Sequence, residues 1–326
     1  MVDPRTTPAP WYIAEEEREN RKTAYNQSWS RLLDELNRRL QAGSTLEDLV
    51  KANQDDQQKY AGFIPATLTA AIPQLELGEF GGQKPPYRLA VVNGSYTSVP
   101  RLPGLDILVR TVAALVDSEV DCVVELGSGP GYNLGELFLA LPPEQNRPAL
   151  IACEPSEQGR KLTEQLFSTA PGAEISTRFF DYYEPDLSFL AAFKKVVVFT
   201  SHSIEQIPIL GPGLYESLLA APVYACVHQE PIGWQRYTNL AASVRKLHDD
   251  EHAWNAFRSS FIYSIQPGRE TENAAAWAAG CIYNTDLLPV LAHASDQGRI
   301  NITALAYDFA SINPFNPSTL VSWTRA

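Results

Sequence analysis

Residues 123–138 read VVELGSGPGYNLGELF, and this stretch decides the fold. The run Cys122–Leu126 is almost continuously apolar, the pattern of a strand covered on both faces. Gly127, Gly129 and Gly131 follow at alternate positions, and helical spacing resumes near Asn133. A strand, a glycine turn and a helix in that order bring backbone N–H groups to a ligand with no Cβ in the way. Glu125 stands inside the turn, which suits a cationic ligand better than a pyrophosphate. The dinucleotide pattern G-x-G-x-x-G would need a glycine where Tyr132 stands, and this counts against a dinucleotide oxidoreductase.

Outward from this stretch, the chain alternates strand and helix. Apolar runs at Leu150–Cys153, Val196–Thr200 and Val223–Val227 predict buried strands, and Gly159–Phe167 has helical period. The fold class is α/β with a doubly wound parallel sheet. Ile300–Tyr307 and Thr319–Thr324 are strand-like and are joined by the turn-rich SINPFNPS, so they predict a closing antiparallel pair. Two further acids sit at strand ends: Glu154 in IACEP and Asp181 in RFFDYYEPD. An isolated acid at such a place can equally cap a helix.

The loop Glu125-x-Gly127-x-Gly129-x-Gly131, followed in order by Glu154 and Asp181, resembles the first motifs of class I S-adenosylmethionine-dependent methyltransferases. The resemblance implies a Rossmann-like sheet with an antiparallel C-terminal hairpin over 105–326. It implies that the glycine loop and Glu125 surround the amino-acid end of S-adenosyl-L-methionine. It also places Glu154 at the ribose hydroxyls and Asp181 near the adenine amine. The implied activity is methyl transfer to a small molecule, in specialised metabolism. A non-catalytic cofactor-binding subunit of the same fold is the alternative.

Residues 1–104 fall outside the resemblance and read as a helical N-terminal cap followed by a Gly/Pro-rich connection or lid. Trp29, Leu32, Leu33, Leu36 and Leu40 recur at helical spacing within Trp11–Ala42, and Ser44-Thr45-Leu46-Glu47 opens a second helix with a capping box. Arg18, Arg21 and Lys22 are interleaved with glutamates, as on a solvated helix face. Tyr87 and Tyr96 lie in the turn-rich passage Gly78–Gly104 and are candidate substrate walls.

Two more strand ends carry polar residues: VFTSHSIEQIP at 198–208 and HQEP at 228–231. In the family resembled, these ends border the methyl group being transferred. A helix starting at Ser201 would put His202 and Gln206 on one face, with His228 and Glu230 approaching from the neighbouring strand. Two mechanisms stay open. In one, His202 or His228 is a general base for O- or N-methylation without metal, and Glu205 caps or orients. In the other, His202, Gln206 and His228 hold a divalent metal (iron, manganese or zinc) that activates a chelating carbonyl substrate. The His-x-x-x-Gln pair resembles that of mononuclear metal-dependent C-methyltransferase domains. Trp234, after the HQEP turn, is a further candidate substrate wall. His248 and His252 in KLHDDEHAW, flanked by charge, read as an exposed helix surface.

With 326 residues and 44% hydrophobic content, the chain can bury a large core. Its formal charge of −12 disfavours nucleic acid and anionic membranes and favours a small-molecule partner. The N-terminus lacks an apolar signal core, and no membrane span is apparent. Cys122, Cys153 and Cys226 lie in apolar runs and Cys281 stands apart, with no C-x-x-C spacing. A disulfide framework is not expected, and a reducing, cytoplasmic setting is. Oligomeric state is left open.

Overall fold

The computed structural model describes residues 11–13, 15–59, 68, 88–142, 147–261, 265–311 and 313–326. Its centre is a seven-stranded sheet. In chain order the strands are β3 (Cys122–Leu126), β4 (Ala149–Cys153), β5 (Ile175–Arg178), β6 (Val196–Ser201), β7 (Val223–Glu230), β8 (Ile300–Ala310) and β9 (Ser318–Arg325). The order across the sheet is β5-β4-β3-β6-β7-β9-β8. The first five strands are parallel, and β9 enters antiparallel between β7 and β8, so the closing hairpin read from the sequence is present. β1 (Arg88–Val92) and β2 (Ser95–Val99) form a separate antiparallel hairpin within the turn-rich passage.

The central strands form where the sequence is apolar on both faces. Every residue of Cys122–Leu126 is buried, as are the first five of β6. Valine, leucine and isoleucine side chains taken fully out of water each contribute about 1.5–3 kcal/mol, which fixes these strands at the middle of two helical layers. One layer packs α3 (Ile107–Leu115), α4 (Tyr132–Ala140) and α5 (Glu157–Phe167) on the sheet; α6 (Gly213–Ala220) and α10 (Leu287–Asp296) pack on the other face.

The N-terminal residues form α1 (Glu15–Gln41) and α2 (Leu46–Lys59). Thr45 and Asp48 make the reciprocal cap of α2: the Asp48 N–H donates to Thr45 Oγ1 at 3.3 Å, and the Thr45 N–H donates to Asp48 at 2.9 Å. The capping box therefore starts one residue later than expected from Ser44. Leu36, Leu46, Leu49 and Val50 join the core cluster of α4 and α5, which seats both helices beside the glycine loop.

Between β7 and β8 the chain adds α7 (Thr238–His248), α8 (Glu251–Arg258) and α9 (Glu270–Cys281). Ala274, Ala275, Ala278 and Ala279 let α9 approach closely, and Trp234 and Val244 pack against them. His248 is the last residue of α7 and is buried; its Nε2 lies 3.2 Å from the Ala279 carbonyl, and burial pushes its pKa down to about 4. The expectation of an exposed His248/His252 face is thus corrected. Only His252 is exposed, and a break between α7 and α8 separates the two.

Candidate functional site

A cavity of about 550 Å³ opens at the C-terminal ends of β3, β4 and β6, where the strand order reverses. Open α/β sheets place ligands there because the adjacent helices diverge. The glycine loop forms its floor, α1 closes it from above, and the turn after β6 forms its far wall.

The loop needs its glycines for geometry. Gly127 has φ 71°, and a Cβ on it would collide with the Ser203 side chain. Gly131 has φ 80°, and a Cβ on it would meet the Thr163 hydroxyl at 2.7 Å. Beside them, Glu125 is buried within β3. Its Oε1 accepts from Asn133 Nδ2 at 2.7 Å, while Oε2 has no hydrogen-bond partner among the described residues. Burial pushes its pKa up to about 8, with the nearby Glu154 and Glu136 charges adding to the effect. The site therefore has a desolvated carboxyl whose ionised form wants a cation.

Glu154 lines the same cavity, but its carboxylate is already used. Oε2 accepts the Gly129 N–H and Oε1 accepts the Ser156 N–H, each at 3.1 Å. Burial raises its pKa against those hydrogen bonds. Ser156, not Glu154, caps α5, through the Gly159 N–H. Asp181 also reaches the cavity, where Arg18 of α1 pairs with it at 3.2 Å. The cations of α1 are thus not simply a solvated face: Arg18 holds Asp181, and Arg21 donates to the Gln206 carbonyl at 3.1 Å.

His202 lines the cavity immediately beyond β6. No α-helix begins at Ser201. His202 is left-handed at φ 49°, and a short 3₁₀ turn covers only Ile204–Gln206, so the His202–Gln206 pairing expected on a helix face is not formed. The turn is held by Glu230 at the end of β7, whose carboxylate accepts the N–H groups of Ser203, Ile204 and Glu205 at 3.1–3.2 Å. Burial and the Glu205 charge raise the Glu230 pKa to about 7.

Glu205, also buried, organises the functional side chains. Its Oε2 lies 3.1 Å from His202 Nδ1 and accepts from Asn316 at 3.0 Å, and its Oε1 accepts from Gln206 Nε2 at 2.9 Å. That contact assigns the proton to His202 Nδ1 and leaves Nε2, 2.8 Å from Ser318 Oγ, as the basic nitrogen. Burial lowers the imidazole pKa, but the Glu205 and Glu230 charges outweigh it and the net shift is upward.

His228 does not join this group. It is fully buried inside the sheet, with Nδ1 3.1 Å from Thr200 Oγ1 and Nε2 accepting the Trp323 indole N–H at 3.1 Å. Burial pushes its pKa down to about 4, so it stays neutral. It is corrected from catalytic candidate to a hydrogen-bonded residue of the core. The expected metal set of His202, Gln206 and His228 is not assembled either: the first two share Glu205, while the third faces Trp323. Among the described residues, no group of three His, Cys, Asp or Glu side chains is placed to hold a metal.

The two aromatic candidates also lie elsewhere. Trp234 is buried, donates to the Pro231 carbonyl at 3.1 Å and packs against α9. Tyr96 packs edge-on to Phe315, and its hydroxyl accepts from Asn273 at 2.9 Å. Tyr87 lies outside the described residues. Aromatic residues that do line the cavity include Tyr25 and Trp29 of α1 and Phe179 and Tyr182 after β5. Trp29 had a sequence signal, but as a core residue. Phe179 was visible only as part of RFFDYYEPD.

No protein-family model matches the chain, and no curated protein matches it. Among solved structures it is similar to a magnesium protoporphyrin IX methyltransferase from Synechocystis PCC 6803 with S-adenosylhomocysteine bound. That likeness has 12% identity over 68% of this chain and 81% of the other, with a TM-score of 0.42. It is also similar to an O-methyltransferase of neocarzinostatin biosynthesis in complex with S-adenosylmethionine and 2-hydroxy-5-methyl naphthoic acid, at 12% identity, 67% and 53% coverage and a TM-score of 0.38. The N-terminal domain of EvdMO1, with S-adenosylhomocysteine bound, matches at 11% identity, 67% and 80% coverage and a TM-score of 0.40. No described helix is long and apolar enough to cross a membrane.

Proposed function

We propose that the chain is an S-adenosylmethionine-dependent methyltransferase acting on a small molecule, with His202 as general base. The observation that carries this reading is the buried Glu125, with an unpartnered carboxylate oxygen, beside the glycine loop of the large cavity. A cationic amino-acid group fits that acceptor, and Asp181 and Glu154 stand farther along the same wall, where the adenosine would lie. The domain division into a cap (1–104) and a methyltransferase domain (105–326) belongs to the same proposal, with α1 as the roof over the catalytic fold.

When bound, the cofactor supplies an electrophilic methyl group on a sulfonium. The chain must orient an acceptor toward it, exclude water and take up the acceptor's proton. His202 Nε2 is suited to the last task once it exchanges its contact with Ser318 Oγ for the acceptor, because Glu205 fixes the other ring nitrogen as donor and stabilises the imidazolium formed. The proton leaves a hydroxyl or amine for Nε2 as the new bond to the methyl carbon forms. The cofactor would supply the methyl carbon and keep the electron pair of its carbon–sulfur bond, and the proton would rest on His202. The candidate metal donors do not converge among the described residues, which favours O- or N-methylation over metal-assisted enolate chemistry.

The test is incubation of the purified chain with methyl-labelled S-adenosylmethionine and a panel of phenols, hydroxy acids and amines, read by mass spectrometry. Transfer of the labelled methyl to an acceptor, lost in His202→Ala, is the expected result. Cofactor binding with no transfer to any acceptor, and wild-type function in cells carrying His202→Ala, would favour the non-catalytic subunit instead.

A further inference from the structure

Three buried polar atoms around the glycine loop lack hydrogen-bond partners among the described residues: Glu125 Oε2, the Ser128 hydroxyl and the Trp29 indole N–H. All three residues line the cavity. A buried polar atom left without a partner costs about 1–3 kcal/mol, so three in one place outline a missing ligand. Their chemistry is one acidic acceptor, one hydroxyl and one obligate donor. An α-amino acid is the complement of that set, its ammonium matching Glu125 and its carboxylate matching the two donors.

Glu125 and Ser128 belong to β3 and its loop. Trp29 comes from α1, and its ring lies over the loop: a Cβ on Gly129 would be 3.3 Å from the indole. Tyr25 stacks on the indole, with ring centroids 6.1 Å apart. Arg18 to Asp181, Arg21 to the Gln206 carbonyl and the Gln158 N–H to Asn26 seat the same helix along the cavity.

We infer that Trp29 is a cofactor-binding residue, its indole N–H donating to the carboxylate at the amino-acid end of the cofactor, so that the cofactor and α1 dock on the glycine loop together. This rests on the S-adenosylmethionine reading above. It adds to that reading a donor outside the sheet domain and a dependence of helix docking on the amino-acid end.

Calorimetry on the full chain with two probes tests it: S-adenosylhomocysteine, which carries the amino acid, and 5′-methylthioadenosine, which lacks it. Trp29→Phe removes the donor together with the part of the indole that lies on Gly129, so methylthioadenosine serves as the control for the lost packing. A hydrogen bond to a charged group contributes about 1.5–3 kcal/mol, so Trp29→Phe is expected to weaken S-adenosylhomocysteine about tenfold to a hundredfold. Methylthioadenosine binding should be unchanged, which also shows that the variant is folded. In the wild type, hydrogen exchange across α1 should slow with S-adenosylhomocysteine and much less with methylthioadenosine. Unchanged S-adenosylhomocysteine affinity in Trp29→Phe, or equal protection of α1 by both probes, overturns the inference while leaving the cofactor reading intact. A wild type that binds neither nucleoside overturns both.

Discussion

The ends of β6 and β7 are neighbours in the sheet and read alike in sequence, each an apolar run ending in a histidine and acids. They do opposite work. β6 stops at Ser201, so His202 lies past the ladder, half-buried in the cavity wall with Glu205 behind it. β7 continues to Glu230, so His228 is still inside the sheet, opposite Thr200 on one side and Val321 on the other. Two residues of extra strand separate a histidine that lines the cavity from one that is a hydrogen-bonded piece of core. The acids differ in the same way: Glu205 orients an imidazole, whereas Glu230 holds the turn on which that imidazole stands.

The sharpest way to break this contrast is to remove each histidine. His202→Ala should lower turnover by about 10²–10⁴, the usual worth of a positioned general base. His228→Ala should leave turnover per folded molecule unchanged and lower thermal stability, since the buried Trp323 N–H loses its acceptor at a cost of about 1–3 kcal/mol. Equal loss of turnover in both variants would contradict the division of labour. A smaller effect is expected at the other end of the cavity: Glu125→Gln should weaken S-adenosylhomocysteine about tenfold or more in a binding titration, the value of one charge-assisted hydrogen bond.

pH dependence separates the two ends further. His202 must be neutral to accept a proton, and its pKa is raised, so turnover should climb with pH through a value above 6.5. Glu205→Gln removes the charge that outweighs burial, and the rise should move to lower pH; a profile that does not move would detach Glu205 from His202. At Glu125 the free carboxyl titrates near 8, so below that value it binds a proton that a cationic ligand must displace. Cofactor affinity should therefore rise as pH approaches 8, with proton release visible as a buffer-dependent binding enthalpy near pH 7.

The central strands were legible because a strand buried on both faces must be apolar along its whole length. Cys122–Leu126 was read with its observed bounds, and the closing hairpin was visible from its turn residues. The turns at Gly127 and Gly131 were legible because a positive φ and a close approach leave few residue types. The role of α1 was not. Arg18 and Arg21 alternate with glutamates as exposed residues do, and their partners, Asp181 and the Gln206 carbonyl, are far away in the chain. The burial of His228 is not legible because no local pattern says where β7 ends. Trp234 was misread because its neighbours come from α9, an alanine-rich helix with little amphipathic pattern.

The most direct test of the account is a titration of the purified chain with S-adenosylhomocysteine, with NAD as the comparison ligand, in wild type and Glu125→Gln. Saturable one-to-one binding of S-adenosylhomocysteine, weakened in Glu125→Gln and absent with NAD, is the predicted result. No binding of S-adenosylhomocysteine to the wild type, or binding of NAD in its place, would contradict it.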